Sequence, residues 1–152
     1  MYKTLQLFSA FCARDIRAVA LTHHVSDTVH RALLSTAPDV VVATPTTAWN
    51  NANTSALELH SVLHVVIDEA DLVLPCGYLD DVRNLWSLLP SQAQVVMMSA
   101  TMTEDTGTLM NMLHRNFTTL HVKEADTERL AQFVLRYVGS AKDYHLNQTD
   151  SN

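Results

Sequence analysis

Short apolar runs alternate with amphipathic segments along the chain. The runs at 16–21, 39–43, 63–67 and 94–98 are apolar on both faces and predict buried strands, with weaker strands at 119–122 and 132–138. Apolar side chains at three- and four-residue steps predict helices at 2–14, after Ser26, Thr44 and Thr103, and from Tyr78. Buried strands that alternate with helices indicate an α/β fold, a mostly parallel sheet with helices on both faces.

The two ends of the chain differ from its middle. In the first predicted helix, Leu5, Phe8, Phe11 and Cys12 form one apolar stripe, which we expect to face inward. The chain is polar from Ser140 onward. We therefore divide it into a domain at 1–138 and a polar tail at 139–152, which we expect to be disordered. The Asn-rich segment 49–55 predicts a loop within the domain.

Composition excludes several classes of function. The 10 Lys and Arg against 16 Asp and Glu give a net charge of −6, which excludes a strongly basic arm that coats nucleic acid. The 3 glycines are too far apart to form a Gly-rich phosphate loop. We expect Cys12 and Cys76 to be buried free thiols of a reducing compartment. Without a signal sequence or a long apolar run, we expect a chain that is not secreted and has no membrane partner.

The acidic run, Asp68-Glu69-Ala70-Asp71, directly follows the strand predicted at 63–67. A carboxylate at the end of a buried strand can hold Mg²⁺ through its water shell, and a second can polarise water for attack on a phosphate. On this interpretation Asp68 positions the metal, Glu69 orients the water, and Asp71 connects the site to the next loop. The same residues also fit an acidic helix start favoured by the helix dipole.

Two more polar segments follow predicted strands. Ser99-Ala100-Thr101, the hydroxyl triplet, follows 94–98, and Thr44-Pro45, the Thr-Pro turn, follows 39–43. The carboxyl ends of parallel strands meet at one rim, where ligands bind, so we expect the three segments to meet there. The hydroxyls of the triplet can bond Asp71, and the turn offers a hydroxyl and free helix N–H groups to a phosphate backbone. Simple helix capping explains both segments as well.

Together and in this order, the three segments resemble the DEAD-box RNA helicase family over residues 2–138. The acidic run matches the motif that names the family, the hydroxyl triplet its coupling motif, and the Thr-Pro turn its Thr-Pro-Gly-Arg RNA-contact motif. Residues 12–17 and 38–45 resemble the nucleolar subfamily that assists assembly of the large ribosomal subunit. The resemblance implies catalysis by Asp68 and Glu69, coupling through Asp71, Ser99 and Thr101, and RNA contact at Thr44 and Pro45.

The resemblance also implies cofactors, partners and a location. ATP and Mg²⁺ would bind at Asp68 and Glu69, with the metal held by Asp68 through water. RNA and ribosome-assembly factors would be the partners, in the nucleus or nucleolus. Without the resemblance, the cytoplasm would be the expected location.

Several family features are missing. The chain resembles an incomplete first RecA-like (P-loop NTPase) domain, because the Gln motif, the Gly-Lys-Thr loop and the second RecA-like domain are absent. Thr46 and Thr47 stand where the family has a small residue and Arg. The main source of triphosphate affinity is therefore lacking, and we expect no ATPase activity from the chain alone. Loss of a central strand should expose an apolar edge and face, which predicts marginal stability or self-association through that edge.

Other interpretations are open at this level. The chain fits a non-catalytic remnant of the fold that binds RNA or protein, or a truncated product with no independent function. His23 and His24, together with His30, also suggest a metal site, but no tetrahedral ligand set accompanies them.

Overall fold

The computed structural model describes residues 1–113 and 118–120, together with the backbone of two later strands. The helices are α1 (Tyr2–Ser9), α2 (Asp27–Leu34), α3 (Pro45–Asn53), α4 (Leu79–Leu88) and α5 (Glu104–Met112). The strands are β1 (Ala18–Leu21), β2 (Val40–Ala43), β3 (His64–Ile67), β4 (Gln94–Met97), β5 (Phe133–Leu135) and β6 (Leu146–Gln148). A single 3-10 turn, Ala70–Leu72, follows β3. The predicted α/β fold with parallel strands is confirmed.

The strands of the domain form two separate parallel pairs. β1 pairs with β2, with Leu21 opposite Ala43. β3 pairs with β4, with Ile67 opposite Met97. No strand ladder joins the two pairs within the described residues, so the expected single sheet is interrupted.

Each pair of strands has its own core. Val19, Leu21 and Leu34 form the core beneath β1 and β2. The larger core lies between the second pair, α4 and α5, and its buried members are Ala70, Val73, Val82, Leu109 and Leu113. Ile67, Val95 and Met97 pack against this core from the strands. Burial of apolar area in these two cores is the main stabilising contribution to the fold.

One face of the second pair is bare within the described part of the chain. Val66 and Val96 point away from the core and are 57% and 41% exposed. Leu63 and Met98, at the ends of the same strands, are also exposed. The prediction of helices on both faces is therefore fulfilled only in part for these strands. The expected exposed apolar face is present, and we name it the bare face (Val66, Val96 and Met98).

The two halves meet through α3 and α4 rather than through strands. The Thr46 hydroxyl at the start of α3 donates a hydrogen bond to the Asp81 carboxylate near the start of α4. Because Thr46 immediately follows the Thr-Pro turn, this bond attaches that turn to the helix that follows the acidic run.

The segment before β1 is held by a carboxylate. Asp39 accepts hydrogen bonds from the Arg17 backbone N–H at 3.0 Å and from the Arg14 guanidinium at 2.9 Å. These two donors hold the pKa of Asp39 below its ordinary value. The predicted helix at 2–14 is wrong in its C-terminal part, because α1 ends at Ser9 and the chain then turns towards Asp39.

Burial of α1 and of both cysteines was predicted wrongly. No residue of α1 is buried, and Phe8 and Phe11 of the expected inward stripe are 67% and 88% exposed. Its periodic pattern is real, but no described element covers the helix. Cys12 and Cys76 are exposed rather than buried, because both lie in turns outside the cores.

Two more boundaries differ from the prediction. Residues 49–53 continue α3 instead of forming a loop, since tertiary hydrogen bonds to Asn51 outweigh the weak helix preference of the Asn-rich sequence. Residues 118–120 form no strand, and 121–122 lie outside the described residues. β5 falls within the strand predicted at 132–138 and pairs antiparallel with β6. β6 is the described part of the predicted tail at 139–152, whose domain boundary stays a prediction.

Candidate functional site

The acidic run leaves β3 and is attached at once to the end of β4. The Met98 backbone N–H donates to the carbonyl of Ile67 at 2.8 Å, and the Ala70 N–H donates to the carbonyl of Met98 at 3.0 Å. Asp68 Oδ1 accepts from the Glu69 N–H at 3.0 Å. These bonds fix the backbone that carries the two predicted catalytic carboxylates.

Glu69 has a left-handed backbone conformation, with a φ of +52°. This region is unfavourable for a residue with a Cβ atom, at a cost of about 1 kcal/mol. The conformation reverses the chain direction between β3 and the 3-10 turn. Strained backbone of this kind often occurs at functional sites, where the surrounding structure holds it in place.

The hydroxyl triplet contacts the acidic run directly. The Thr101 hydroxyl donates to the Asp71 carboxylate at 2.7 Å. The Ser99 hydroxyl donates to the carbonyl of Thr101 at 2.6 Å, and thereby shapes the triplet. The predicted meeting of the two segments at the carboxyl ends of neighbouring parallel strands is therefore present, although the roles assigned to these residues stay predictions.

This contact changes the acidity of Asp71. The hydrogen bond from Thr101, with a further contribution from Ser99, holds the pKa of Asp71 below its ordinary value of 3.8. Burial acts in the opposite direction but is outweighed. Asp71 is therefore a carboxylate at neutral pH and a permanent acceptor for the Thr101 hydroxyl.

An open cavity of about 360 Å³ is lined by residues of both segments. Its lining residues are Asp68, Glu69, Asp71, Leu72, Met98, Ser99 and Ala100. Among the described residues, no three His, Cys, Asp or Glu side chains are grouped so that they could hold a metal ion together. Mg²⁺ usually keeps several waters and binds through one or two carboxylates, so the exposed Asp68 and Glu69 fit a hydrated magnesium ion by their donor chemistry.

The Thr-Pro turn is built as a helix start. Thr44 is the N-cap of α3, and its hydroxyl oxygen accepts from the Thr47 N–H at 3.4 Å, while Pro45 takes the first helical position. Thr44 and Pro45 follow β2, in the other half of the domain, and do not line the cavity. The structure thus brings together two of the three predicted segments and connects the third through the Thr46–Asp81 bond.

Of four residues around the Thr-Pro turn, Thr46, Asp81 and Asn51 were not assigned a functional role from the sequence, and His30 was considered only as a candidate metal ligand. Thr46 bonds Asp81, which lies 35 positions away along the chain. His30 is buried and bonded to Asn51 rather than grouped with His23 and His24. The only signal available in the sequence was the presence of Thr46 at a position where a small residue was expected.

The chain was found to be similar to proteins of one family. A family model described as DEAD/DEAH box helicase matches residues 1–109. The ATP-dependent RNA helicase dbp9 of Botryotinia fuckeliana (strain B05.10) is 50% identical over 138 residues, which are 90% of this chain and 23% of that protein. The ATP-dependent RNA helicase DBP9 of Gibberella zeae is 46% identical over 136 residues, 88% of this chain and 22% of that protein. The chain thus spans less than a quarter of these curated relatives.

Solved structures share the fold. A Saccharomyces cerevisiae Dbp5 variant bound to a Gle1 variant and IP6 matches with a TM-score of 0.70 at 22% identity, over 81% of this chain and 30% of that one. A hypothetical ATP-dependent RNA helicase from Sulfolobus tokodaii matches with a TM-score of 0.65 at 20% identity, over 78% of this chain and 37% of that one. These matches confirm the predicted RecA-like arrangement for the part of the fold that they cover.

Proposed function

Because this chain belongs to the DEAD/DEAH box helicase family, we propose that it carries part of the machinery with which an ATP-dependent RNA helicase remodels RNA. The observation that carries the proposal is the hydrogen bond between Thr101 and Asp71 at the edge of the acidic cavity. This bond connects the predicted nucleotide-binding loop to the predicted coupling loop, in the order and on the strands that the family pattern requires.

In this proposal the cavity lined by the acidic run binds the nucleotide. Asp68 would hold Mg²⁺ through its water shell, and Glu69 would accept a hydrogen bond from the water that attacks the terminal phosphate of ATP. Bound Mg²⁺ supplies charge neutralisation for the phosphates. The left-handed backbone of Glu69 sets the direction in which its carboxylate leaves the chain.

The Thr-Pro turn is the RNA end in this proposal. The Thr46 N–H and the Thr44 hydroxyl suit a phosphate of the RNA backbone, because Pro45 has no N–H and the Thr47 N–H already donates to Thr44. The coupling residues are Asp71, Ser99 and Thr101, which respond to whether the nucleotide site is occupied. The Thr46–Asp81 bond holds the turn against α4. The net negative charge predicts weak binding with a shallow salt dependence, because few cations are available to contact the RNA phosphates.

The resemblance to the nucleolar subfamily extends the proposal to partners and place. We propose a role in assembly of the large ribosomal subunit, with assembly factors as partners, in the nucleus or nucleolus. We further propose that the chain alone self-associates through its uncovered sheet edge and the bare face. No described helix is long and apolar enough to cross a membrane.

A chimera tests whether these residues carry helicase chemistry. Residues 1–138 would replace the matching segment of the Botryotinia fuckeliana relative, and RNA-stimulated ATP hydrolysis would be measured. We expect activity, and we expect Glu69→Gln to reduce it at least about 100-fold, as for loss of a catalytic base. Asp80→Asn is the matched control, since Asp80 is exposed and pairs with Arg83 on the surface of α4.

The result distinguishes enzyme from interaction module. A folded chimera that binds nucleotide but hydrolyses none would favour the non-catalytic remnant. The 152-residue chain alone should show no turnover under the same conditions, because it lacks the phosphate loop. RNA-stimulated hydrolysis by the chain alone would contradict that expectation.

A further inference from the structure

Buried polar side chains connect α2 to the Thr-Pro turn. His30 and Asn51 are 2% and 4% exposed. The His30 Nε2 lies 3.1 Å from the carbonyl oxygen of Thr22, and its Nδ1 lies 3.3 Å from the Nδ2 of Asn51. The same Asn51 nitrogen donates to the Thr47 carbonyl at 2.9 Å. Both side chains are therefore bonded on two sides inside the protein.

Two backbone carbonyls determine where the protons lie. A carbonyl oxygen only accepts, so the Nε2 of His30 must carry the hydrogen that faces Thr22. The Nδ1 of the neutral ring then accepts, and Asn51 donates one amide hydrogen to it and the other to Thr47. A flipped Asn51 amide would place its oxygen against two acceptors. One tautomer and one amide orientation thus satisfy every partner.

This connection reaches the Thr-Pro turn through Thr47. The Thr47 hydroxyl lies 3.0 Å from the Thr44 hydroxyl, and the Thr47 N–H donates to the same Thr44 oxygen. Thr47 is thus held by Asn51 on its carbonyl side and by Thr44 on its N–H side. Burial of two polar side chains costs free energy unless all their bonds are made, so the arrangement has a strongly preferred geometry.

We propose that His30 and Asn51 are positioning residues for RNA contact at the Thr-Pro turn. They fix the first turn of α3, and so fix the Thr44 hydroxyl and the Thr46 N–H that would face the RNA phosphate. This inference rests on the proposed RNA contact. Leu at position 51 would occupy a similar volume but would leave His30 Nδ1 without a donor and release the Thr47 carbonyl.

The test uses the intact 152-residue chain and two measurements. Long-range proton–nitrogen NMR gives the tautomer of His30, and backbone spectra report the Thr47 amide. Fluorescence anisotropy gives the dissociation constant for a labelled single-stranded oligouridylate. Asn51→Leu is compared with Val95→Ala, which perturbs the other core from β4 and belongs to neither α3 nor α4.

We expect the Nε2–H tautomer in the unmodified chain at pH 7. We expect Asn51→Leu to move the Thr47 amide resonance and to weaken RNA binding about tenfold, while Val95→Ala does neither. If Asn51→Leu does not fold, His30→Gln provides the comparison, since its amide can still donate towards Thr22 but cannot accept from Asn51 in the same geometry.

Three results would overturn the inference. The first is an Nδ1–H or charged His30, and the second is an equal effect of Asn51→Leu and Val95→Ala on RNA affinity. The third is a chain that binds no RNA at all, which rejects the proposed RNA contact and with it the positioning role. In that third case the His30 tautomer and the Thr47 resonance still show whether the buried connection exists, so the two failures are distinguishable.

Discussion

Thr101 controls the ionisation of Asp71, because its hydroxyl bond is the largest cause of the lowered pKa. We expect Thr101→Val to raise the pKa of Asp71 towards 3.8, measured by a carboxyl-carbon NMR titration. Since the folded-state pKa is depressed, Asp71 contributes to stability above its unfolded pKa, and this contribution is lost as pH falls through the folded value. Thr108→Val, which removes a hydroxyl bonded to Glu104, should leave the titration unchanged.

The left-handed backbone conformation of Glu69 is unfavourable for a residue that has a Cβ atom. We expect Glu69→Gly to raise the free energy of unfolding by about 0.5 kcal/mol, because glycine removes the left-handed strain while losing some unfolded-state restriction. Ala37, with a φ of +48° outside the site, is the control, and Ala37→Gly should give a similar gain. Urea denaturation measures both. A gain at Ala37 but none at Glu69 would show that Glu69 is not strained.

The meeting of the acidic run and the hydroxyl triplet could be predicted from sequence, because both follow strands of one parallel pair. The strain at Glu69 and the bond between Thr46 and Asp81 could not be. They depend on how the chain reverses after β3 and on the packing of two helices that are distant in sequence. The sequence shows a histidine at position 30, but it does not show which groups this buried side chain bonds.

At the scale of elements, helix starts were predicted better than helix ends. Thr44 and Thr103 cap α3 and α5 with their side chains, and such caps have a local signature. The end of α1 and the continuation of α3 depend on tertiary partners, so local pattern could not place them. For the same reason, periodicity identified the apolar stripe of α1 but could not show whether another element packs against it.

The N-caps provide a matched test. The Thr103 hydroxyl accepts from the Thr106 N–H at 3.3 Å, whereas Ser26 occupies the N-cap of α2 with no side-chain bond. We therefore expect Thr103→Ala to lower the free energy of unfolding by about 1 kcal/mol, and Ser26→Ala to change it little. Equal costs in urea denaturation would contradict the assignment of the caps.

For the whole molecule, the bare face determines behaviour in solution. An exposed apolar face of this kind favours association between copies. We expect the sedimentation coefficient of the chain to rise with concentration. The double variant Val66→Thr and Val96→Thr, which keeps β-branched side chains, should remain monomeric to about tenfold higher concentration. Val29→Thr changes an exposed valine of α2 instead and should have no effect.

A monomer at all concentrations with a sharp melting transition would contradict the self-association. The α/β class and parallel pairing were predictable, because buried apolar strands alternate with helices throughout. Local sequence does not indicate how the two pairs of strands hold together, and no ladder joins them within the described residues.

The two halves of the domain meet through α3 and α4, and this arrangement determines how the domain unfolds locally. Since no ladder joins the two halves within the described residues, either pair of strands can separate while the backbone bonds of the other pair stay intact. Slowly exchanging amide protons should therefore fall into two families with different protection, one for each pair of strands. The Thr46–Asp81 bond lies at the border between them.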